Sequence, residues 1–128
     1  MLEILVVDDD VEVLAELVRG LRASGHSVAV ARDGLVALDT ARTSRLDVII
    51  ADVRMPGLNG YQLCRRLRQA ADTAGVAVFL MSDKVEPVDR LWATEVGARA
   101  LFAKPLDAAE ALAQLTTITR SRDPGSGT

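Results

Sequence analysis

The sequence predicts an α/β protein in which one sheet of five parallel strands is covered by helices on both faces. Five short apolar segments alternate with five segments of helical periodicity, and the connections between them are short. This alternation is typical of parallel sheets with right-handed crossovers. The strand segments are almost free of polar residues, as expected when both faces of a strand are covered. The doubly wound strand order 2-1-3-4-5 fits best, because it places the first and third strands side by side.

Length and composition indicate one domain. The chain has 128 residues, is 49% hydrophobic and carries a formal net charge of −3. We expect the domain to occupy residues 1–120, and residues 121–128 (S-R-D-P-G-S-G-T) to form a flexible tail or the start of a linker. The acidic balance argues against nucleic-acid binding, so the basic cluster Arg65, Arg66 and Arg68 is interpreted as a solvated helix face.

Targeting signals and membrane segments are not visible in the sequence. The first residues read directly as a strand, without a charged region or a cleavage site, and no apolar run approaches the length of a membrane span. These features predict a soluble cytoplasmic protein without membrane insertion. A single cysteine, Cys64, excludes an internal disulfide and is interpreted as a small core residue.

The N-terminal part of the chain predicts two strand–helix units. Residues 3–7 (E-I-L-V-V) form an apolar run that leads into three consecutive aspartates. Asp10 is the expected N-cap of the first helix, with Gly25 just past its end. Residues 26–31 form the second strand, and Asp33 begins the second helix. The apolar residues at helical spacing are Val11, Leu14, Val18 and Leu21 in the first helix and Leu35, Ala37, Leu38 and Ala41 in the second.

The third strand is central to the prediction. Residues 48–51 (V-I-I-A) contain no polar residue, and the run ends abruptly at Asp52. A loop rich in proline and glycine follows and leads to a third helix over residues 61–71. Open α/β sheets place their chemistry outside the carboxyl ends of the strands, which is where Asp52 lies.

Two more strand–helix units complete the sheet. Residues 77–81 (A-V-F-L-M) and 100–103 (A-L-F-A) are the fourth and fifth strands. Pro87 fits the first turn of the helix after the fourth strand, and Asp107 is the expected N-cap of the last helix.

Carboxylate, hydroxyl or ammonium side chains directly follow four of the five strands, all except the second. In the order 2-1-3-4-5 the ends of the first and third strands are adjacent, so Asp8, Asp9 and Asp52 come together, with Ser82 and Lys104 along the same edge. Three converging carboxylates repel one another unless a cation lies between them. Mg²⁺ is the expected cation, because it binds oxygen ligands and completes its shell with water and phosphate oxygens.

The same residues suit phosphoryl transfer. Aspartate carboxylates act as nucleophiles toward phosphoryl groups, and the protein then supplies mainly positioning and charge neutralisation. A dianionic group on Asp52 would find Mg²⁺, the Lys104 ammonium and the Ser82 hydroxyl as compensating partners.

Four motifs, taken in order, resemble the receiver domain of bacterial two-component response regulators. They are I-L-V-V-D-D-D, D-V-R-M-P-G-L-N-G, a hydroxyl residue after the fourth strand and Lys-Pro after the fifth. The resemblance runs from Leu2 to Thr119 and implies a flavodoxin-like fold. The segments M-S-D-K and D-R-L-W are similar to stand-alone receivers of pilus-driven motility and chemotaxis-type systems.

The resemblance implies a role for each site residue. Asp52 would accept the phosphoryl group from a sensor histidine kinase, and Mg²⁺ would be held by Asp8, Asp9, Asp52 and the backbone carbonyl of Arg54. Ser82 would hydrogen-bond the phosphoryl group, Lys104 would pair with it, and the Lys104–Pro105 bond would be cis. The chain would act as a signalling module rather than an enzyme, apart from its own phosphorylation and dephosphorylation.

The resemblance also implies a downstream protein partner on the face of the fourth helix and fifth strand. Two positions depart from the family pattern. Asp83 stands where the family usually has a small residue, and Leu101 stands where it usually has an aromatic switch residue. Phe102 is one position later, so it should face the opposite side of the sheet. We therefore expect partner recognition to rely on the fourth helix, including Arg90 and Trp92.

Two alternatives stay open from the sequence alone. One is a pseudo-receiver, an interaction module with the same fold that phosphorylation does not regulate, favoured by Asp83 and Leu101. The other is a Mg²⁺-dependent phosphohydrolase, because Asp8 and Asp10 form a D-x-D pattern after an apolar strand. The chain lacks room for a cap domain and lacks a second acidic cluster after a late strand, which argues against the hydrolase.

Overall fold

The ten predicted elements are present in the computed structural model, which describes residues 1–10, 12 and 14–118. All strand pairs are parallel, and the sheet order is β2-β1-β3-β4-β5, which confirms the predicted doubly wound topology. The elements are β1 Glu3–Val7, α1 Ala15–Ala23, β2 Ser27–Ala31, α2 Gly34–Thr43, β3 Val48–Asp52, α3 Gly60–Gln69, β4 Ala77–Ser82, α4 Pro87–Glu95, β5 Ala100–Ala103 and α5 Ala108–Leu115.

Strand β3 shows why the central strands are apolar up to their last residue. Its side chains alternate between the two faces of the sheet, and every residue of β3 is buried. Ile49 and Ala51 face a core formed with α2, α3 and α4, whereas Val48 and Ile50 face a core formed with α1 and α5. Burial of apolar surface on both faces is the main driving force for this arrangement.

Leu101 and Phe102 lie on opposite faces of β5, as predicted. Leu101 is buried in the core beneath α2, α3 and α4. Phe102 lies in the other core, where its ring stacks on Phe79 with ring centroids 6.1 Å apart. The aromatic ring of this strand therefore points away from the face that α4 covers.

Side-chain caps fix the starts of three helices. The Asp33 and Asp107 carboxylates accept backbone N–H groups of Val36 and Glu110, at 2.8 and 2.7 Å. Asn59 and Gln62 form a reciprocal capping box at the start of α3. Each cap satisfies backbone donors that have no partner within the helix.

The predicted N-cap role of Asp10 is wrong. Helix α1 begins at Ala15 with Leu14 in the N-cap position and no side-chain cap. The backbone N–H of Asp10 donates to Asp8 Oδ1 at 3.0 Å, just after β1. Val11, which the prediction placed on the helix face, lies outside the described residues, as do residues 121–128 of the predicted tail.

Arg68 is not the solvated residue that its sequence context indicated. Its guanidinium donates to the carbonyls of Ala74, Val76 and Gly97, at 2.9 to 3.0 Å.

Helix α3 ends at Gln69, two residues before the predicted end at Ala71. Cys64 is buried as predicted, and its thiol donates to the Val96 carbonyl at 3.1 Å.

Within the described part of the chain, none of the helices is both long enough and apolar enough to cross a membrane.

Candidate functional site

The register of β1 and β3 brings the predicted carboxylates together. Val7 pairs with Ala51, so Asp8, just after β1, and Asp52, the last residue of β3, lie at the same level of the sheet. Asp8 is fully buried, Asp52 is 6% exposed and Asp9 is exposed. One carboxylate oxygen from each of these three residues lies within 4.8 Å of the others. The predicted convergence of the three aspartates is therefore present.

Glycine at position 60 lets α3 begin directly against the end of β3. A Cβ atom at this position would lie only 2.7 Å from the backbone oxygen of Asp52. The Gly60 N–H donates to the Val53 carbonyl at 3.0 Å, which closes the loop that follows the strand. This close approach fixes the backbone that carries the Asp52 side chain.

Lys104 reaches the aspartates from the end of β5. Its Nζ lies 2.8 Å from Asp8 Oδ2 and 3.1 Å from Asp52 Oδ2. The Lys104 side chain is only 11% exposed, so the contact is largely shielded from solvent. The Lys104–Pro105 peptide bond is cis, as the resemblance implied.

The second oxygen of each buried carboxylate accepts a backbone N–H. Asp8 Oδ1 accepts from Asp10 N–H at 3.0 Å, and Asp52 Oδ1 accepts from Arg54 N–H at 3.1 Å. Every oxygen of the two buried carboxylates thus has a donor, as buried charge requires.

Burial and neighbouring charge shift the pKa values in different directions. Burial raises the pKa of Asp52, and the negative charge of Asp8 raises it further. The hydrogen bonds from Arg54 N–H and Lys104 act to lower this pKa, but the net shift is upward. Burial also acts to raise the pKa of Asp8, but hydrogen bonds from Lys104 and from Asp10 N–H outweigh it, and the Asp8 pKa lies below its usual value. For Lys104, burial acts to lower the pKa, but Asp8 and Asp52 outweigh it and raise the pKa, so the lysine stays charged at neutral pH.

A cleft of about 540 Å³ opens above these residues. It contains two carboxylates beyond the predicted three, those of Asp10 and Asp83. Asp10 was missed as a cleft residue because it was assigned to the helix cap, although the D-D-D run was a visible signal. The lining residues are Asp8, Asp9, Asp10, Asp52, Arg54, Asp83, Lys104 and Pro105.

Ser82 is placed differently from the other predicted site residues. It is the last residue of β4, is 6% exposed, and its carbonyl accepts the Lys104 N–H at 2.8 Å. Ser82 lines a separate, smaller cleft together with Arg54 and Lys84 rather than the acidic cleft. The structure therefore brings Asp8, Asp9, Asp52, Arg54 and Lys104 together and leaves Ser82 beside them.

The donor set of the acidic cleft fits a hard divalent cation. All three converging ligand atoms are carboxylate oxygens, and no sulfur or imidazole lies among them. Oxygen-only sites favour Mg²⁺, Mn²⁺ or Ca²⁺ over softer metals. Three carboxylates against one lysine also leave negative charge that such a cation would balance.

Comparison with known proteins gives the family. The sequence model described as "Response regulator receiver domain" matches residues 4–116. The response regulator MprA of Mycobacterium sp. (strain KMS) is 38% identical over 124 residues, which cover 97% of this chain and 53% of MprA. The chain thus spans about half the length of that relative.

Two further similar proteins come from Pseudomonas aeruginosa. Protein PilH is 36% identical over 107 residues, which cover 84% of this chain and 88% of PilH. The receiver domain of the sensor histidine kinase PA1611, solved with a magnesium ion coordinated in its active-site cleft, superposes with a TM-score of 0.81 at 30% identity. The match covers 90% of this chain and 94% of that one.

Receiver domains are signalling modules of two-component systems rather than a family of catalytic enzymes, and they typically bind Mg²⁺ at an acidic pocket. The fold, the acidic cleft and these matches show that the chain belongs to the response regulator receiver domain family.

Proposed function

We propose that this receiver accepts a phosphoryl group on Asp52 from a sensor histidine kinase and thereby switches the binding of a protein partner. The observation that carries the proposal is the position of Asp52, whose carboxylate lies in the acidic cleft and is held by Lys104 at 3.1 Å. In the reaction a carboxylate oxygen of Asp52 attacks phosphorus. The bond between phosphorus and the donor imidazole nitrogen breaks, and the nitrogen keeps the electron pair.

The residues that would hold Mg²⁺ are Asp8, Asp9, Asp52 and the backbone carbonyl of Arg54. When bound, the cation would neutralise charge on the phosphoryl oxygens as the new bond forms. The oxygen-only donor set supports this assignment, and so does the magnesium-bound PA1611 receiver.

Lys104 and Ser82 would couple the charge to a change of shape. Lys104 is already paired with Asp8 and Asp52, and the third N–H of its ammonium group would donate to a phosphoryl oxygen. Ser82 lines the adjoining cleft, which shares Arg54 with the acidic cleft, and its hydroxyl would donate to the phosphoryl group from that side. Contacts that exist in one state alone are what allow a ligand to shift a conformational equilibrium.

The proposed surface for the downstream partner is the face of α4 and β5. Helix α4 exposes Val88, Leu91 and Trp92, at 51%, 67% and 53%. Arg90 and Trp92 lie on different sides of the helix. Arg90 Nη1 donates to the Leu101 carbonyl of β5 at 3.0 Å, whereas Trp92 lines a groove against α3.

The alternative function is a pseudo-receiver, whose partner binding does not depend on phosphorylation. Asp83 favours it, because this carboxylate lines the acidic cleft and would oppose an incoming dianion. Leu101 also favours it, because the residue is buried in the core and has no hydroxyl for a switch.

The two functions differ in one measurement. The chain is incubated with a small acyl phosphate and either Mg²⁺ or a chelator, and its intact mass is followed over time. We expect the wild type to gain one phosphoryl group only with Mg²⁺, Asp52→Asn to gain none, and Asp9→Ala to react slowly. A wild type that stays unlabelled with this donor and with a histidine kinase would support the pseudo-receiver.

A further inference from the structure

A groove between α3 and α4 lies apart from the acidic cleft. Its volume is about 470 Å³, and its lining residues are Asn59, Tyr61, Gln62, Arg65, Asp89, Trp92 and Val96. Tyr61 packs partly buried against the core, Val96 is buried, and the Trp92 side chain remains 53% exposed. The volume falls within the range of about 300 to 1,000 Å³ that is typical of ligand pockets. An exposed tryptophan in such a groove is a strong candidate anchor for a partner.

The charge beside this groove is positive, although the chain as a whole is acidic. Helix α3 contains three arginines and no acidic residue, in a chain with a net charge of −3. Arg68 is committed to backbone carbonyls, but Arg65 and Arg66 are exposed and pair with no residue in the described part of the chain. Arg65 lines the α3–α4 groove and also an adjoining cleft of about 250 Å³ that Arg66 lines.

The one acidic residue that lines the groove does not neutralise these arginines. Asp89 Oδ2 accepts the Glu86 N–H at 2.8 Å, as part of the capping arrangement that begins α4. A carboxylate in the first turn of a helix is stabilised there by the helix dipole. Arg65 and Arg66 therefore remain available to an external anion.

We propose that the α3–α4 groove binds an acidic peptide segment of a protein partner. One large apolar side chain of that segment seats against Trp92, Tyr61 and Val96, and its carboxylates pair with Arg65 and Arg66. Arginine forms bidentate pairs with carboxylates, and tryptophan, tyrosine and arginine are the residues most often found at energetic centres of interfaces. A nucleic acid is disfavoured, because only two arginines are free here and the chain is acidic overall. The inference goes beyond phosphorylation, since it concerns the unphosphorylated chain.

Trp92 is the only tryptophan of the chain, so its fluorescence reports on this groove. A phage-displayed library of random peptides lacking tryptophan is selected on the unphosphorylated full chain. The selected peptides are synthesised and titrated against it. We expect them to combine Asp or Glu with Phe, Leu or Met, to shift the Trp92 emission to shorter wavelength and to protect it from a soluble quencher.

Variants of the groove residues test where the peptide binds. The double variant Arg65→Glu/Arg66→Glu should weaken peptide binding by about tenfold or more. Trp92→Ala should weaken it by a similar factor, measured by the anisotropy of a labelled peptide because this variant has no tryptophan. Arg42→Glu with Arg45→Glu, an equal charge change at two exposed positions at and just past the end of α2, should alter it less than about twofold. The proposal is overturned if the selected peptides are basic or uncharged, or if all variants weaken binding equally. It is also overturned if an oligonucleotide or a second copy of the chain saturates the groove. Because no step uses Asp52, the result is independent of whether that residue is phosphorylated.

Discussion

The Lys104 ammonium nitrogen lies 3.1 Å from Asp52 Oδ2, although the two residues are 52 positions apart in the sequence. The same nitrogen lies 2.8 Å from Asp8 Oδ2. One lysine thus compensates two buried carboxylates at the end of the sheet. Removing it leaves buried charge without its main partner, which is costly in a protein interior.

Lys104→Met should lower the free energy of unfolding in the presence of a chelator. We expect a loss of about 2 kcal/mol, because hydrogen bonds to charged groups contribute roughly 1.5 to 3 kcal/mol and the site can partly rehydrate. Mg²⁺ should recover part of the loss by replacing the missing positive charge. Urea unfolding with and without Mg²⁺ measures both effects. Lys104→Arg is the control that keeps the charge, and a Lys104→Met variant as stable as wild type would contradict the compensating role.

Asp83→Ala should raise the phosphorylated fraction at fixed donor and Mg²⁺. Asp83 lines the acidic cleft but is exposed, so its repulsion of a phosphoryl dianion is reduced by solvent to about 1 kcal/mol or less. The effect should be largest at low ionic strength, where screening is weakest. Intact mass gives the fraction. Asp72→Ala, an exposed change at the other end of the sheet, serves as the control, and an unchanged or lower fraction in Asp83→Ala would mean that this carboxylate does not oppose the dianion.

Leu101→Ala should destabilise the fold far more than an equal change on the surface. Leu101 is 4% exposed, and deletion of a buried leucine side chain typically costs about 2 to 5 kcal/mol. Leu35 is 60% exposed, so Leu35→Ala should change stability by less than about 0.5 kcal/mol. Chemical denaturation of both variants tests whether Leu101 is a core residue rather than a mobile switch. Equal stability of the two variants would contradict the core role.

His26 should make the fold less stable as the pH falls below neutrality. Its Nδ1 accepts the Leu2 N–H at 3.0 Å, and burial lowers the pKa of His26 below the usual 6.5. The unfolded chain therefore binds the proton first, so this contribution is complete above pH 6.5 and is lost as the pH falls. We expect a loss of up to about 1 kcal/mol, the net value of one hydrogen bond. His26→Asn keeps an acceptor without titrating, so its stability should fall less over the same pH range. Parallel pH dependences of the two proteins would contradict a role for His26.

The placement of the acidic cleft could be predicted because strand order and register follow from pattern. Once the first and third strands are neighbours, Asp8 and Asp52 must meet at the same edge. Lys104 followed from the same reasoning, since its long side chain can cross from the end of β5.

Three details depended on tertiary contacts that a local pattern does not contain. Asp10 was expected to cap α1, but that helix begins at Ala15 with Leu14 in the N-cap position, and Asp10 lines the cleft. Arg68 was expected in solvent, but three carbonyls from two loops converge on it. The strand position of Ser82 was predicted, but the cleft that it lines was not.

The most direct test of phosphoryl transfer to Asp52 is reductive trapping of the labelled chain. After reaction with an acyl phosphate donor and Mg²⁺, borohydride converts an aspartyl phosphate to homoserine, and peptide mapping by mass spectrometry locates it. We predict homoserine at position 52 and at no other aspartate, and none when the donor or Mg²⁺ is omitted. Homoserine at Asp8, Asp9 or Asp83, with position 52 unmodified, would contradict the assignment of Asp52 as the acceptor.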